Sequence, residues 1–439
     1  MTLGGSLSRF KNMFFNASWI MFERFFRMAA NFFVVIMVAR FLGPDQFGVI
    51  NYLLAVVNIL GPITALGMVG VLVRDLVKNP EQQNEMLGTS FVLKFVAALI
   101  CSLALVVFSI FYETDPLLIW FTVVFSLSLL FKPFENVKLY YESIVKSKYV
   151  ALSESMVIIV FATLKVVLVL MQAELLYFVL VYAGEVAMMS FAKIIFLRKN
   201  DMSLLSWRFK PSLVRPLLAR SLPLIFSSMA AAIYMKVDQV MLRFIIDEAA
   251  VGVYAVAARM SEIWYFIPIA VVTSVFPALI KLREKDSVRY YRRLQAVFDI
   301  LFLLAFSLAL VVTFISEPFI NIAFGDEYSA SATILSIHIW AGIFAFMRQG
   351  LSKWLINENY LKFSLYSQGG GAIINIALNF VLIPLYAGIG AAIATISAFF
   401  ISAYLVCFFT KKTRPIAFMM TKSFTAPFRV RSIIRNLKS

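Results

Sequence analysis

The residues of this chain best suited to chemistry are ionisable side chains set in stretches that are otherwise apolar: Glu23, Arg24 and Arg27, then Glu185, Lys236, Asp238, Arg259 and Glu262. Arg24 and Arg27 are three apart and share a helix face. Glu23 precedes Arg27 by four, the better order for an ion pair along a helix. Lys236 and Asp238 are two apart and face different ways, while Arg259 and Glu262 are three apart and able to pair. A guanidinium stays charged at any relevant pH and grips phosphate oxygens through parallel hydrogen bonds. Arg24, Arg27, Lys236 and Arg259 are therefore expected to line a cavity for an anion. A structural ion pair between helices is the other reading of the first group. The acids Glu23, Asp238, Glu262 and Glu185 could carry a coupling proton, bind Na⁺, or simply pair with neighbouring helices.

Other chemistries find little support. His338 is the single histidine, and Cys101 and Cys407 are distant from each other, so no zinc or haem set is expected. Gly369-Gly370-Gly371 reads as close helix packing, since no Lys-Ser or Lys-Thr follows at phosphate-loop spacing. No catalytic residues are expected, the chain is not an enzyme, and no cofactor is expected beyond coupling to an H⁺ or Na⁺ gradient.

The elements that must position these residues are membrane spans. Of 439 residues, 62% are hydrophobic and 15% charged, against roughly a quarter charged in a soluble domain. In a bilayer each segment must satisfy its own backbone, so helices of about 20 apolar residues are the unit. Twelve candidates lie near 14–39, 47–71, 87–111, 117–135, 150–171, 175–197, 217–243, 249–279, 294–316, 331–353, 361–386 and 388–409. Runs such as Val96–Phe111 are too long and continuous for a β-barrel strand. A tight hairpin is expected at Tyr386–Gly388, and Gly61-Pro62, Pro223, Pro268 and Pro277 are expected to bend helices.

Loop charge sets the orientation. With the N-terminus inside, all but two of the loop lysines and arginines fall on the cytoplasmic side, and only Arg40 and Arg243 fall outside. Both termini are then cytoplasmic. The net charge of +16 follows from the same asymmetry and points to anionic membrane lipids, not nucleic acid. Lys94, Lys193 and Arg348 are expected to reach for the cytoplasmic surface and Lys165 for the outer one. The tail after Lys411 is expected to lie along the cytoplasmic interface.

The longest polar connection divides the chain into an N-terminal six-helix lobe (1–197), a cytoplasmic linker (198–216), a C-terminal six-helix lobe (217–409) and a basic cytoplasmic tail (410–439). Each lobe opens alike. Arg40-Phe41 leads through an acidic turn to Gly48-Val49 and Tyr52; Arg243-Phe244 leads through another to Gly252-Val253-Tyr254. Such a duplication with an even number of spans relates two bundles by a pseudo-two-fold axis along the membrane normal, with a substrate path between them. The fold class is an all-α polytopic membrane protein.

The run from Arg40 to Gly48 resembles the opening signature of bacterial polysaccharide exporters, as does Tyr234–Leu242 followed by Gly252-Val253-Tyr254. In length, span number and motif order the whole chain resembles the O-antigen (Wzx-type) flippases of the multidrug/oligosaccharidyl-lipid/polysaccharide exporter superfamily. It departs from the related lipid II flippases, which carry two further C-terminal helices. The resemblance implies translocation of an undecaprenyl-diphosphate-linked oligosaccharide across the bacterial inner membrane by alternating access. It also implies a glycan polymerase and a chain-length regulator as partners. A cation-coupled drug antiporter of the same superfamily would need an acid-dominated cavity, and a membrane-embedded glycan polymerase would need a large periplasmic loop. The central bases at least match the acids, and the outer loops are short.

Overall fold

The computed structural model describes the backbone of residues 3–429 apart from 145, 199–202 and 359. It describes side chains from residue 31 to 429, apart from those residues and 149, 196, 198, 277, 284 and 361. Every regular element among the described residues is a helix, with no strand. Among the described residues nine helices are long and apolar enough to cross a membrane, or ten if Asp326–His338 and Ala341–Asn357, bent by 47°, count as one span. Two of the ten stretches, Asn31–Lys78 and Lys362–Phe408, are each long enough for two crossings. Each contains one residue that leaves helical geometry, Gly43 (φ 70, ψ 173) and Ala387 (φ 47, ψ −127). Divided there, with the first helix running from Leu3, and with the bent pair counted as one, the stretches number twelve, as expected from the sequence.

Both breaks have local causes. Gly43 takes a positive φ that a side chain would resist, and Pro44 then starts a helix where no N–H is needed. At Ala387, inside the expected hairpin, the two arms meet so closely that a Cβ on Gly390 would lie 2.1 Å from the Leu382 carbonyl oxygen. The fourth span runs beyond its expected end at 135. It passes from Pro116–Leu129 through a 3₁₀ turn at Lys132–Phe134 into Glu135–Ser143, with Pro133 unable to donate at the break. Ser287–Phe324 spans 38 residues, roughly 57 Å, so it projects well beyond the hydrocarbon. Its start is fixed by Asp286, whose carboxylate accepts from the Arg289 amide at 2.9 Å.

The chain forms two compact units. The first comprises residues 1–42 and 69–217, the second 43–68 and 218–439. Segment 43–68, expected in the N-terminal lobe, thus packs with the C-terminal residues.

Within the first unit, the buried lysines Lys94 and Lys193 have fixed partners. Lys94 donates to Asn136 at 2.7 Å, and Asn136 in turn donates to Ser90 at 2.8 Å. Lys193 bonds Glu135 and lies 3.1 Å from Glu154. Neither lysine reaches the surface, both being 1% exposed. An ion in hydrocarbon is stabilised better by a fixed partner than by a long stretch to water.

Within the second unit, Gly48 and Gly252 bring two helices into backbone contact. A Cβ on Gly48 would lie 1.8 Å from the Glu248 carbonyl oxygen, and one on Gly252 would lie 2.0 Å from that of Pro44. The tail differs from the expectation of a purely interfacial segment. Helix Arg414–Ser423 buries Ile416, Ala417 and Met420 completely, in a cluster with Leu301, Phe302 and Trp354. Of Gly369-Gly370-Gly371, only Gly371 packs closely, against Ser402; the first two face open space.

Candidate functional site

Helix Val214–Ile245 carries Lys236 and Asp238, and a separation of two places them about 200° apart around the axis. They engage different partners. Lys236 Nζ donates to Glu262 Oε2 at 3.0 Å, both side chains being about one-fifth exposed. Glu262 ends helix Glu248–Glu262, and by taking Lys236 it leaves Arg259, with which it could have paired along the helix.

Arg259 turns instead to a neutral group. Its Nη2 donates to Asn51 Oδ1 at 2.9 Å, and its guanidinium lies 5.8 Å from the centre of the Phe47 ring. Asn51 is held in that orientation because its Nδ2 donates to the Phe47 carbonyl at 2.7 Å, leaving the oxygen for the arginine. Among the described residues no carboxylate lies within ion-pair distance of Arg259, so its positive charge is not cancelled locally. Phe47 and Asn51 come from the first copy of the duplicated motif and Arg259 from the helix that the second copy opens.

Asp238 faces a closed polar cage. It is 3% exposed. Its Oδ2 accepts from the Tyr254 hydroxyl at 2.7 Å and Thr395 Oγ1 at 2.6 Å, and its Oδ1 accepts from Asn379 Nδ2 at 2.6 Å. Among the described residues Asn379 Oδ1, Asn375 Nδ2 and His338 Nδ1 are buried with no hydrogen-bond partner. The His338 ring stands edge-on to Tyr254 at 5.9 Å. Beside Asp238 is a cavity of about 10 Å³ lined by Tyr254, Glu262, His338 and Thr395 among others, about the space of one small occupant. A single carboxylate with hydroxyl and amide oxygens nearby can hold a proton or a hard monovalent cation. Among the described residues no three His, Cys, Asp or Glu side chains gather as a metal set.

The other sequence candidates fall elsewhere. Glu185, in the first unit, is taken up by Lys165 Nζ at 2.6 Å, and that ammonium also sits 4.0 Å from the Tyr182 ring centre. Lys165 therefore does not reach for the outer surface. The side chains of Glu23, Arg24 and Arg27 lie outside the described residues. Asn51, Asn379 and Thr395 went unselected in sequence because each is neutral and acts on a charge far away along the chain. Their only local signal is a polar residue inside a span. Arg348, expected to reach for the cytoplasmic surface, is instead 8% exposed and held by serines.

The sequence matches the family model described as polysaccharide biosynthesis protein over residues 14–283, and the MatE model over residues 223–381. A probable flippase, AglR of Haloferax volcanii, is 29% identical over 167 residues, which are 37% of this chain and 35% of AglR. The match thus spans about a third of that relative's length. Among solved structures, the chain is similar to the lipid II flippase MurJ in an inward closed conformation, with a TM-score of 0.71 and 16% identity over 92% of this chain and 90% of that one. It is also similar to an inward-facing multidrug resistance MATE family transporter of the MOP superfamily, with a TM-score of 0.62 and 11% identity over 93% and 96% of the two chains. At these identities the likeness is one of fold. Those names are of flippases and transporters, not enzymes.

Proposed function

The chain belongs to the polysaccharide biosynthesis protein family, and from that premise we propose that it is a flippase. Its cargo is an undecaprenyl-diphosphate-linked oligosaccharide, an O-antigen unit or a similar repeat, moved from the cytoplasmic to the periplasmic leaflet of a bacterial inner membrane. Both termini are proposed to be cytoplasmic, the placement that the loop charges favour. The observation that carries this reading is Arg259, a cation within a membrane-spanning segment whose described partners are an amide and an aromatic ring.

The physical task is to bring a diphosphate, with about two negative charges, through a medium that would otherwise exclude it. A guanidinium held by a neutral acceptor and a ring face keeps its attraction for an anion, whereas one held by a carboxylate would not. Arg24, Arg27 and Lys236 are proposed to share the role, with Lys236 released when Glu262 changes partner. Asp238, in its cage of hydroxyls and amides, is proposed to take up H⁺ or Na⁺ and to couple the cycle to the membrane gradient. The moving bodies are the two halves, 1–197 and 217–409, joined by 198–216, with segment 43–68 travelling with the second half.

The match to the MatE model over residues 223–381 and the caged carboxylate favour a second reading, a cation-coupled drug antiporter. One experiment separates the two. Delete the gene, assay surface glycan and efflux of a cationic dye, and complement with Arg24→Ala/Arg27→Ala and Arg259→Ala. The flippase reading expects the glycan to vanish on deletion and to stay absent with these variants at normal protein levels. Intact glycan with lost dye efflux would replace it by the antiporter reading.

A further inference from the structure

Arg348 lies on helix Ala341–Asn357, the second arm of the bent pair. It is 8% exposed, and every described partner is neutral. Its Nη1 donates to Ser367 Oγ at 2.8 Å and to the Ser402 carbonyl at 3.2 Å, and its Nη2 donates to Ser364 Oγ at 3.1 Å. These bonds use three of the five N–H groups of a guanidinium, and among the described residues no carboxylate lies within 4.0 Å. A buried charge left without a counter-charge is costly in any protein and more so within a membrane. The local backbone is shaped to hold it there. Residues Phe400–Tyr404 form a π-helical turn, in which the shifted hydrogen-bond ladder frees carbonyls, and the Ser402 carbonyl in that turn turns to Arg348. Gly371 lets the neighbouring arm approach Ser402, where a Cβ would lie 2.7 Å from the serine Cβ.

The guanidinium borders a cavity of about 270 Å³ within the second unit. Gln349, Gln368 and Ser402 add polar groups to its wall. Tyr234 and Tyr265 line the same wall with their rings, their hydroxyl oxygens being buried. The remaining surface is apolar, from Ala231, Met235, Pro268, Ile269 and Phe399 among others. The combination is one uncancelled cation, the Gln349 amide and a greasy wall. Spare N–H groups of an arginine suit the oxygens of a phosphate, and the apolar wall suits what a lipid phosphate carries with it.

We infer that the Arg348 cavity is a binding pocket for a phosphate or diphosphate group. It is separate from the Arg259 and Asp238 positions. The inference rests on the flippase reading only for the kind of anion that reaches the pocket. The group comes either on a lipid or as a free anion, and binding experiments distinguish the two.

The test is calorimetric titration of the full chain in phosphatidylcholine nanodiscs with farnesyl diphosphate and, separately, with inorganic diphosphate. Arg348→Gln is expected to weaken binding by about tenfold or more, the range of a charge-assisted hydrogen bond. Arg348→Lys should lose less, because it keeps the charge but not the fork. Ala231→Phe leaves Arg348 in place and fills the cavity, and it too should weaken binding, which decides the matter if Arg348→Gln fails to fold. Tighter binding of farnesyl diphosphate assigns the pocket to a lipid headgroup; equal binding assigns it to a free anion. The proposal falls if the unaltered protein binds neither probe, or if Ala231→Phe and a folded Arg348→Gln bind as well as it does. Because the readout is binding and not glycan export, Arg348-dependent binding in a protein that exports no glycan would sink the flippase reading and leave the pocket standing. Normal export with unaltered binding in both variants would do the reverse.

Discussion

Gly48 and Gly252 occupy matching places in the two copies of the duplicated motif, and they meet each other at a single helix crossing. A Cβ on Gly48 would come within 3.0 Å of the Gly252 amide nitrogen as well as striking the Glu248 carbonyl. The contact is reciprocal: Gly48 faces Glu248, and Gly252 faces Pro44, each four residues ahead of the opposing glycine. Two copies of one ancestral turn packed face to face would produce this pattern, which a chance similarity of sequence would not.

Even one methyl should therefore be felt at this crossing. Gly48→Ala and Gly252→Ala are each expected to destabilise the second unit by about 1–3 kcal/mol, the usual cost of overpacking. Thermal melting of the purified protein in detergent checks this, and an unchanged midpoint in either variant would mean that the helices can separate freely.

Changing Asn51 to Asp should silence Arg259 without disturbing its position. The new carboxylate would accept at nearly the same distance but cancel the guanidinium's charge. Surface glycan in a complemented deletion strain is expected to drop severely while protein level and melting stay near normal. Full complementation would mean that the charge of Arg259 does not face the cargo.

Asp238→Asn preserves shape inside the cage but removes the charge that a proton or Na⁺ would neutralise. Transport by the variant is expected to lose its dependence on external pH and on Na⁺. If the dependence persists, Asp238 only cements its helix to Tyr254, Asn379 and Thr395.

Lys236 and Glu262 form a partly exposed pair, and such pairs contribute modestly, about 1 kcal/mol or less. Lys236→Gln and Glu262→Gln should each leave the partner uncompensated, and the double variant should be nearer to the parent in stability than the two losses added together. Strictly additive melting shifts would show the two side chains to be independent.

Spans, with their order and number, are legible in the sequence, because a 20-residue apolar run admits few alternatives in a bilayer. Ala387 sits where the sequence separates adjacent spans with the fewest residues, and Gly43 falls in the gap expected between 39 and 47. The motif copies are legible too, although their mutual contact is not, since 200 residues of chain separate them. What remained hidden is chiefly the partner of each charge. Glu262 had two bases within reach, one on its own helix and one on the preceding helix, and local spacing favoured the wrong one. Arg348 and Lys94 stand near span ends, where a long side chain could equally reach water, and only the packing of distant serines and of Asn136 decides against it. Segment 43–68 follows its neighbours in sequence but not in packing.

The docked helix Arg414–Ser423 has a practical bearing on how the protein can be shortened. Asp299 is 1% exposed and accepts from Gln295, Ser423 and Arg429, so two of its three donors come from the final segment. A truncation ahead of Arg414 would strand that carboxylate and bare the greasy side of Ser287–Phe324. Trimmed versions for biochemistry should keep everything through Arg429, and a reporter is better placed beyond that residue than in exchange for it.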